Sequence, residues 1–356
     1  MQLSLFNPTY TTIELCAGAG GQALGLHRAG FQHHALVEID RHACQTLRDN
    51  NSRHGLSWGE IIEADARDFV RERSGEFDGI DLIAAGVPCP PFSKAGQQLG
   101  AEDERDLFPT AIAAVAQIQP KAVLFENVRG LLDQRFEPYR DTLESQLNEL
   151  GYTVFWTLLD AADFGISQHR RRCIIVALKP SYAAHFSWPH PLKIQPATVG
   201  ERLYDLMAAN GWPGASVWRD RANQLAPTIV GGSKKHGGPD LGPTRAKRAW
   251  QKLYVNAHRL ADREPAADFC GEKVGYEQMP LLTVRMVARL QGFPDEWIFS
   301  GRKTNAYRQV GNAFPPPVAQ AVGDRILRAL RLGDYGLSSV SSSSETVRSP
   351  TSAVSR

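Results

Sequence analysis

The chain has 356 residues, 42% hydrophobic and 22% charged, and 40 Lys+Arg against 38 Asp+Glu leave a net charge of +2. That composition excludes a fibrous or wholly disordered polypeptide, and the length allows two domains or one large domain with an insertion. No apolar run approaches the roughly 18–20 residues of a membrane span, and the first ten residues lack a basic-then-apolar signal segment. The five cysteines (Cys16, Cys44, Cys89, Cys173 and Cys270) are odd in number and widely spaced, with no C-x-x-C pair. They argue against a disulfide scaffold or a zinc site and for a reducing cytoplasm.

From the N-terminus, apolar runs at 11–15, 35–39, 81–85, 122–125, 154–159 and 173–178 alternate with helical stretches. Helical periodicity is clearest at 107–118 and 139–150, where Leu143, Leu147 and Leu150 form one stripe and Gly151 supplies a stop. Strand–helix alternation predicts an α/β fold, a Rossmann-like, doubly wound and mostly parallel sheet.

The first strand leads into Glu14-Leu15-Cys16-Ala17-Gly18-Ala19-Gly20-Gly21 and then a helix. Small residues let the backbone pass close to a ligand, and a helix N-terminus offers free amide donors. The second strand ends in Glu38-Ile39-Asp40, where a carboxylate can accept both hydroxyls of a ribose, and Asp65 ends the third. The pattern describes a nucleoside-carrying cofactor across strand ends. S-adenosylmethionine fits it. A nicotinamide or flavin cofactor fits the loose Gly18-x-Gly20-x-x-Ala23 fingerprint, and a tight structural turn is the third reading. Glu14 favours the first, because an adenosyl amino acid carries a cationic group there and a pyrophosphate does not.

After the fourth strand, Gly86-Val87-Pro88-Cys89-Pro90-Pro91-Phe92-Ser93 fixes one cysteine among three prolines. Rigid loops at strand ends are where open α/β sheets place their chemistry, so Cys89 is a candidate nucleophile. Glu126-Asn127-Val128 caps the fifth strand, facing the same crevice or serving only as a turn. In Gln168-His169-Arg170-Arg171-Arg172, alternation puts Gln168, Arg170 and Arg172 on one side; clustered arginines commonly form a solvated or phosphate-contacting edge.

Residues 181–280 show no sustained period. Within them, 219–263 hold ten Lys/Arg and three Asp, a net +7 inside a chain that otherwise sums to −5. Either a polyanion partner or a solvated loop explains such a segment. Helical patterning resumes at 283–290 and 317–332, and from Gly336 a serine-rich stretch reads as a disordered tail. There is no internal repeat.

Taken in order, ELCAGAGG, VEID, Asp65, GVPCPPFS, FENV, QHRRR, LTVRMVARLQGFPDEW (282–297) and YRQVGNAFPPPVAQAVG (307–323) resemble the DNA (cytosine-5)-methyltransferase family of the bacterial restriction–modification type. The resemblance spans residues 11–325. It implies a catalytic, cofactor-binding domain of residues 1–180 completed by 281–335, and an inserted, small, irregular target-recognition domain at 181–280. It also implies S-adenosylmethionine as cofactor, double-stranded DNA as partner, a monomer in a bacterial cytoplasm near the nucleoid, and a restriction endonuclease as functional but not physical partner.

By the same resemblance Cys89 is the nucleophile and Glu126 the acid that engages ring nitrogen 3 and the exocyclic amine. To donate to that nitrogen Glu126 must hold a proton. Arg172 holds the base's carbonyl oxygen with Arg170 in support. Glu14, Cys16, Ala17, Gly18, Gly20, Gly21, Glu38, Ile39, Asp65, Ala66, Pro88 and Asn312 match cofactor contacts. Ser93, Arg221, Lys234, Lys235 and Arg245 are expected on DNA, and the Gly231-Gly232 and Gly237-Gly238 loops are candidates for gripping phosphates. Cys16 and Ile39 depart from the family, which usually has Phe and Trp at these adenine-contacting positions.

Three rivals have less support. Asn7-Pro8-Thr9-Tyr10 resembles the tetrapeptide of amino-group methyltransferases but precedes the first strand. An RNA-directed member of the same fold would be expected to carry a Cys-Phe-Thr tripeptide, which is absent. A DNA-binding module without catalysis has no need of the residues the chemistry requires, all of which are present.

Overall fold

The computed structural model describes residues 9–88, 106–231, 238 and 240–344, with side chains described to residue 336. Cys89, Ser93, Lys234 and Lys235 therefore lie outside the described residues, as do Asn7, Pro8, Gly232 and Gly237.

The chain alternates as the sequence predicts: β1 Tyr10–Leu15, α1 Gly21–Ala29, β2 Phe31–Glu38, α2 Arg41–His54, β3 Glu60–Glu63, α3 Ala66–Glu72, β4 Leu82–Gly86, α4 Phe108–Ile118, β5 Ala122–Val128, α5 Glu137–Glu149, β6 Thr153–Asp160 and β7 Arg171–Leu178. The seven strands lie in the order β3-β2-β1-β4-β5-β7-β6. The first five run parallel, and β7 enters antiparallel between β5 and β6. Crossover helices cover both faces, which is why β4 and the first six residues of β5 are apolar or buried on both sides. One face packs Ile83, Val123 and Ile175 against Phe108, Val115 and Leu143. The other packs Leu82, Leu124 and Val176 against Leu26 and Val322.

Strand β5 runs further than the apolar run 122–125 suggests. Glu126, Asn127 and Val128 remain in the ladder, opposite Ile174, Cys173 and Arg172 of β7. They are strand residues rather than a cap. Asp65 likewise lies two residues past β3, where its side chain accepts from Arg67 N–H at 2.8 Å as the N-cap of α3.

After α6 Pro180–Ala183, the segment expected to be irregular holds three further helices: α7 Val199–Ala208, α8 Ala215–Arg221 and α9 Thr244–Gln251. Each is at most ten residues long, too short for its periodicity to stand out between Pro and Gly breaks. Burial of Leu203, Met207, Trp218 and Trp250 holds them in place. Their core is continuous with α10 Val284–Leu290, α11 Lys303–Asn312 and the Leu24, Leu47 and Trp58 side of the sheet. The final helix, α12, runs from Pro316 to Ser344, past the boundary expected at Gly336. Once Val318, Val322, Ile326 and Leu330 are buried, each further turn adds hydrogen bonds without a new nucleation cost, so even serines extend it.

Candidate active site

The C-terminal ends of β1, β2, β4 and β5 open into one cleft of about 430 Å³. Its lining includes Glu14, Cys16, Ala17, Gly18, Gly21, Glu38, Ile39, Asp65, Ala66, Pro88, Glu126 and Asn312, so the structure brings these expected residues together. Gly20 does not line the cleft. It is the N-cap of α1 with φ 81°, a left-handed conformation that glycine adopts without strain. Cys16 also has a positive φ, 55°, and burial pushes its thiol up, so at neutral pH it is an apolar wall and not a nucleophile.

Glu38 is already engaged. Its Oε2 accepts from Gly18 N–H at 2.8 Å and its Oε1 from Asp40 N–H at 2.7 Å, which fixes the glycine-rich turn. Each oxygen keeps a lone pair for a ligand hydroxyl. Ile39 is 63% exposed, an apolar side chain left at the rim. Gln22, Arg67, Arg308, Gln309 and Phe314 also line the cleft and were missed. Arg308 is brought there by α11, where it donates to Asp40 Oδ2 at 3.1 Å. Each had a signal nearby: Gln22 follows Gly20-Gly21, Arg67 follows Ala66, and Arg308, Gln309 and Phe314 lie within YRQVGNAFPPPVAQAVG.

Glu14 supports S-adenosylmethionine over a dinucleotide. Its side chain is buried, its Oε2 has no hydrogen-bond partner, and burial followed by the charge of Glu38 raises its carboxyl well above the usual range. An orphaned buried acceptor in a ligand cleft suits a cationic group. A pyrophosphate brings no such group.

Glu126 stands at the far end of this cleft and forms an ion pair with Arg172, Nε to Oε1 at 2.8 Å. Antiparallel pairing of β5 and β7 sets the two side chains beside each other. Burial lowers Arg172's guanidinium from its usual value while Glu126 holds it up, and an arginine stays charged throughout. Arg172 in turn lines a second opening with Val128, Arg129, His169, Arg171 and Thr228. The Glu126–Arg172 pair therefore sits where the cofactor cleft meets a basic mouth.

Arg170 lines neither of these two openings. It is 1% exposed, and its guanidinium donates to Ile229 O at 2.7 Å and to Gly311 O and Ala313 O, each at 3.0 Å. Gln168 beside it donates to Leu290 O and Gln291 Oε1 and accepts from Ile229 N–H. The alternation in QHRRR was legible, but its inward side is a buried clamp and not a solvated edge. Gly231 is a packing residue as well: a Cβ there would come within 2.5 Å of Arg308 O and 2.6 Å of Asn312 Oδ1.

Of the expected DNA contacts, Arg221 lies over the Tyr254 ring at 4.8 Å. Arg245 is exposed and lines a surface concavity with Arg248 on α9 and with Lys252 at its C-terminal end.

The sequence matches the family of C-5 cytosine-specific DNA methylases over residues 10–328, and the chain belongs to that family. It is 53% identical over 325 residues to the Type II methyltransferase M.NaeI of Lentzea aerocolonigenes, covering 91% of this chain and 76% of that one. It is also 53% identical over 325 residues to the Type II methyltransferase M.NgoMIV of Neisseria gonorrhoeae, covering 90% and 98%. Among solved structures, the S. pombe Dnmt2 methyltransferase superposes with a TM-score of 0.58 at 16% identity, covering 90% of this chain and 99% of that one. At that identity the likeness shows the fold alone. No helix among the described residues is long and apolar enough to cross a membrane.

Proposed function

We propose that the protein transfers a methyl group from S-adenosylmethionine to carbon 5 of a cytosine flipped out of a specific short duplex DNA sequence, through a covalent adduct with Cys89. The observation that carries this reading is the Glu126–Arg172 pair at the junction of cofactor cleft and basic mouth. Bound in the cleft, the cofactor supplies an electrophilic methyl group. Glu14, Glu38 and Asp65 are the polar residues suited to hold it.

Carbon 5 of cytosine is a weak nucleophile, and attack at carbon 6 by a thiolate converts it to an enamine carbon, dividing one hard step into two easier ones. Glu126 engages ring nitrogen 3 and the exocyclic amine. Arg172 holds the base's carbonyl oxygen, and its bond to Glu126 keeps both groups in the plane of one base edge. Loss of the carbon-5 proton then releases Cys89. A stacked base cannot reach the junction, so the target nucleotide leaves the helix at a cost of a few kcal/mol. In this reading residues 181–280 read the sequence, and methylation protects DNA from a cognate restriction enzyme.

The test is adduct formation on duplex DNA carrying 5-fluorocytosine, in which fluorine cannot leave as a proton does. A gel-stable complex that needs both S-adenosylmethionine and Cys89 is expected, with Cys89→Ser giving none while still binding cofactor. Equal turnover by Cys89→Ser would overturn the covalent route. Bisulfite sequencing of DNA from expressing cells reveals the target, and methylation found on transfer RNA instead would favour the RNA-directed reading.

A further inference from the structure

The basic mouth beside Glu126 encloses about 480 Å³, and Arg129, His169, Arg171 and Arg172 line it. No carboxylate among the described residues does so. Two stand behind the wall. Glu126 Oε1 pairs with Arg172 Nε at 2.8 Å, and Asp160 Oδ2 meets His169 Nδ1 and Arg171 Nε, each at 3.2 Å. Arg129, just past the end of β5, is exposed and has no ion-pair partner among the described residues. Counting arginines and carboxylates alone, three against two leave the mouth one positive charge.

In a merely solvated basic edge each long side chain would be loose. Here register and hydrogen bonds hold them. Asp160 ends β6 and Arg171 begins β7, and the two are direct cross-strand partners. Asp160 Oδ1 accepts from Arg170 N–H at 2.9 Å and Ala162 N–H at 3.3 Å, which keeps the carboxylate turned toward Arg171. Thr228 Oγ1 donates to His169 O at 2.7 Å, and His169 N–H donates to Ala226 O at 3.0 Å. Arg171 reaches Asp160 through Nε, so its two terminal amino groups remain as a fork of donors.

We propose that the mouth takes a single phosphodiester of the DNA backbone, gripped by Arg129 and Arg171 beside the cytosine held by Glu126 and Arg172, with Asp160 as the positioning residue that aims Arg171. The inference rests on the function proposed above and names the substrate group that this second opening receives. One surplus positive charge matches the one negative charge of a phosphodiester. A guanidinium fork matches two of its oxygens, whereas a base would want an aromatic face, and no Phe, Tyr or Trp lines the mouth. A grip of this kind sets the register of the strand without reading its sequence.

The test uses duplexes of the protein's own target site, each with one uncharged methylphosphonate in place of a phosphate near the cytosine. For the unaltered protein one position should weaken binding about tenfold or more, the scale of a lost charge-assisted hydrogen bond. Arg129→Ala and Arg171→Ala should each weaken the unmodified duplex, yet lose only about twofold or less at that same position, because the partner is already gone. At every other position their losses should equal those of the unaltered protein. Replacing both arginines should flatten the salt slope by about 0.9, the value for one phosphate.

Asp160→Asn keeps an oxygen for the Arg170 and Ala162 N–H groups and removes the charge that holds Arg171. It should lose less than the unaltered protein at that one position while its urea midpoint stays in place; a merely structural role would shift all positions alike. Losses that simply add for Arg129→Ala and Arg171→Ala at every position would overturn the inference. Adduct formation on 5-fluorocytosine DNA in that case would leave the proposed reaction standing, and its absence in the unaltered protein would overturn both.

Discussion

Asn127 donates from Nδ2 to the carbonyl of Val87 at 3.1 Å, joining two strand ends forty residues apart in sequence. Its Oδ1 also accepts from Val128 N–H at 2.7 Å, so both ends of the amide are fixed. Val87 immediately precedes Pro88, which lines the cofactor cleft, and Cys89 follows. The asparagine next to Glu126 thus fixes the chain at Val87, just ahead of Pro88.

Asn127→Ala should lower methyl transfer about 10²-fold, the scale on which a small misplacement of a reacting group acts. Cofactor affinity should stay within about twofold, because Asn127 lies outside the cleft lining. Single-turnover rates and calorimetry check the two halves. An equal fall in both would mean that the substitution disturbs the whole sheet.

Arg170 is expected to behave as a structural residue. Arg170→Ala strands three buried carbonyls, each costing about 1–3 kcal/mol when unpaired. Urea unfolding should show a loss of at least about 3 kcal/mol, and Arg170→Lys should recover only part of it, since one ammonium cannot reproduce the guanidinium fork. Unchanged stability with lost turnover would give Arg170 a part in the chemistry instead.

The α9 surface yields a salt prediction. Phosphate contacts release counterions, giving a slope of about −0.9 in log affinity against log salt for each phosphate neutralised. Replacing Arg245, Arg248 and Lys252 together with alanine should flatten the slope by at most about three units, weaken all sequences alike and leave the target site unaltered. Filter binding across a salt series measures it. An unchanged slope would place the DNA elsewhere.

Acid should loosen the C-terminal helix. Asp334 accepts from Tyr10 Oη at 2.9 Å, Tyr182 Oη at 2.8 Å and Lys121 Nζ at 3.0 Å. Burial pushes its carboxyl up, but these donors outweigh burial and hold it below its ordinary value. Its contribution is therefore present above the unfolded carboxylate pKa, about 4, and is lost as pH falls through the lower folded value. Asp334→Asn should cost about 2 kcal/mol at neutral pH and show less loss between about pH 4 and 2 than the parent. Parallel acid profiles for the two proteins would exclude the cluster as a source of stability.

The strand–helix alternation and the cleft lining were legible because both are local: a glycine-rich turn, an acid at a strand end and an apolar run each occupy a few adjacent residues. What escaped was set by distant partners. Arg170 could not be told from a phosphate contact until Ile229, Gly311 and Ala313 were seen around it. Glu126 extends β5 because β7, nearly fifty residues later, offers it a ladder partner in Ile174.

The link between Tyr10 and Asp334 also makes two distant stretches of the chain depend on each other. Strand β1 and helix α12 are joined by a bond between residues 324 positions apart. The same helix packs on the face of the sheet that holds Leu82, Leu124 and Val176, and it supplies the carboxylate that both Tyr10 and Tyr182 bind. A fragment cut ahead of α12 would keep most of the cofactor cleft in sequence, yet wet much of that face and strand two phenols. The cleft is thus held by residues that take no part in it.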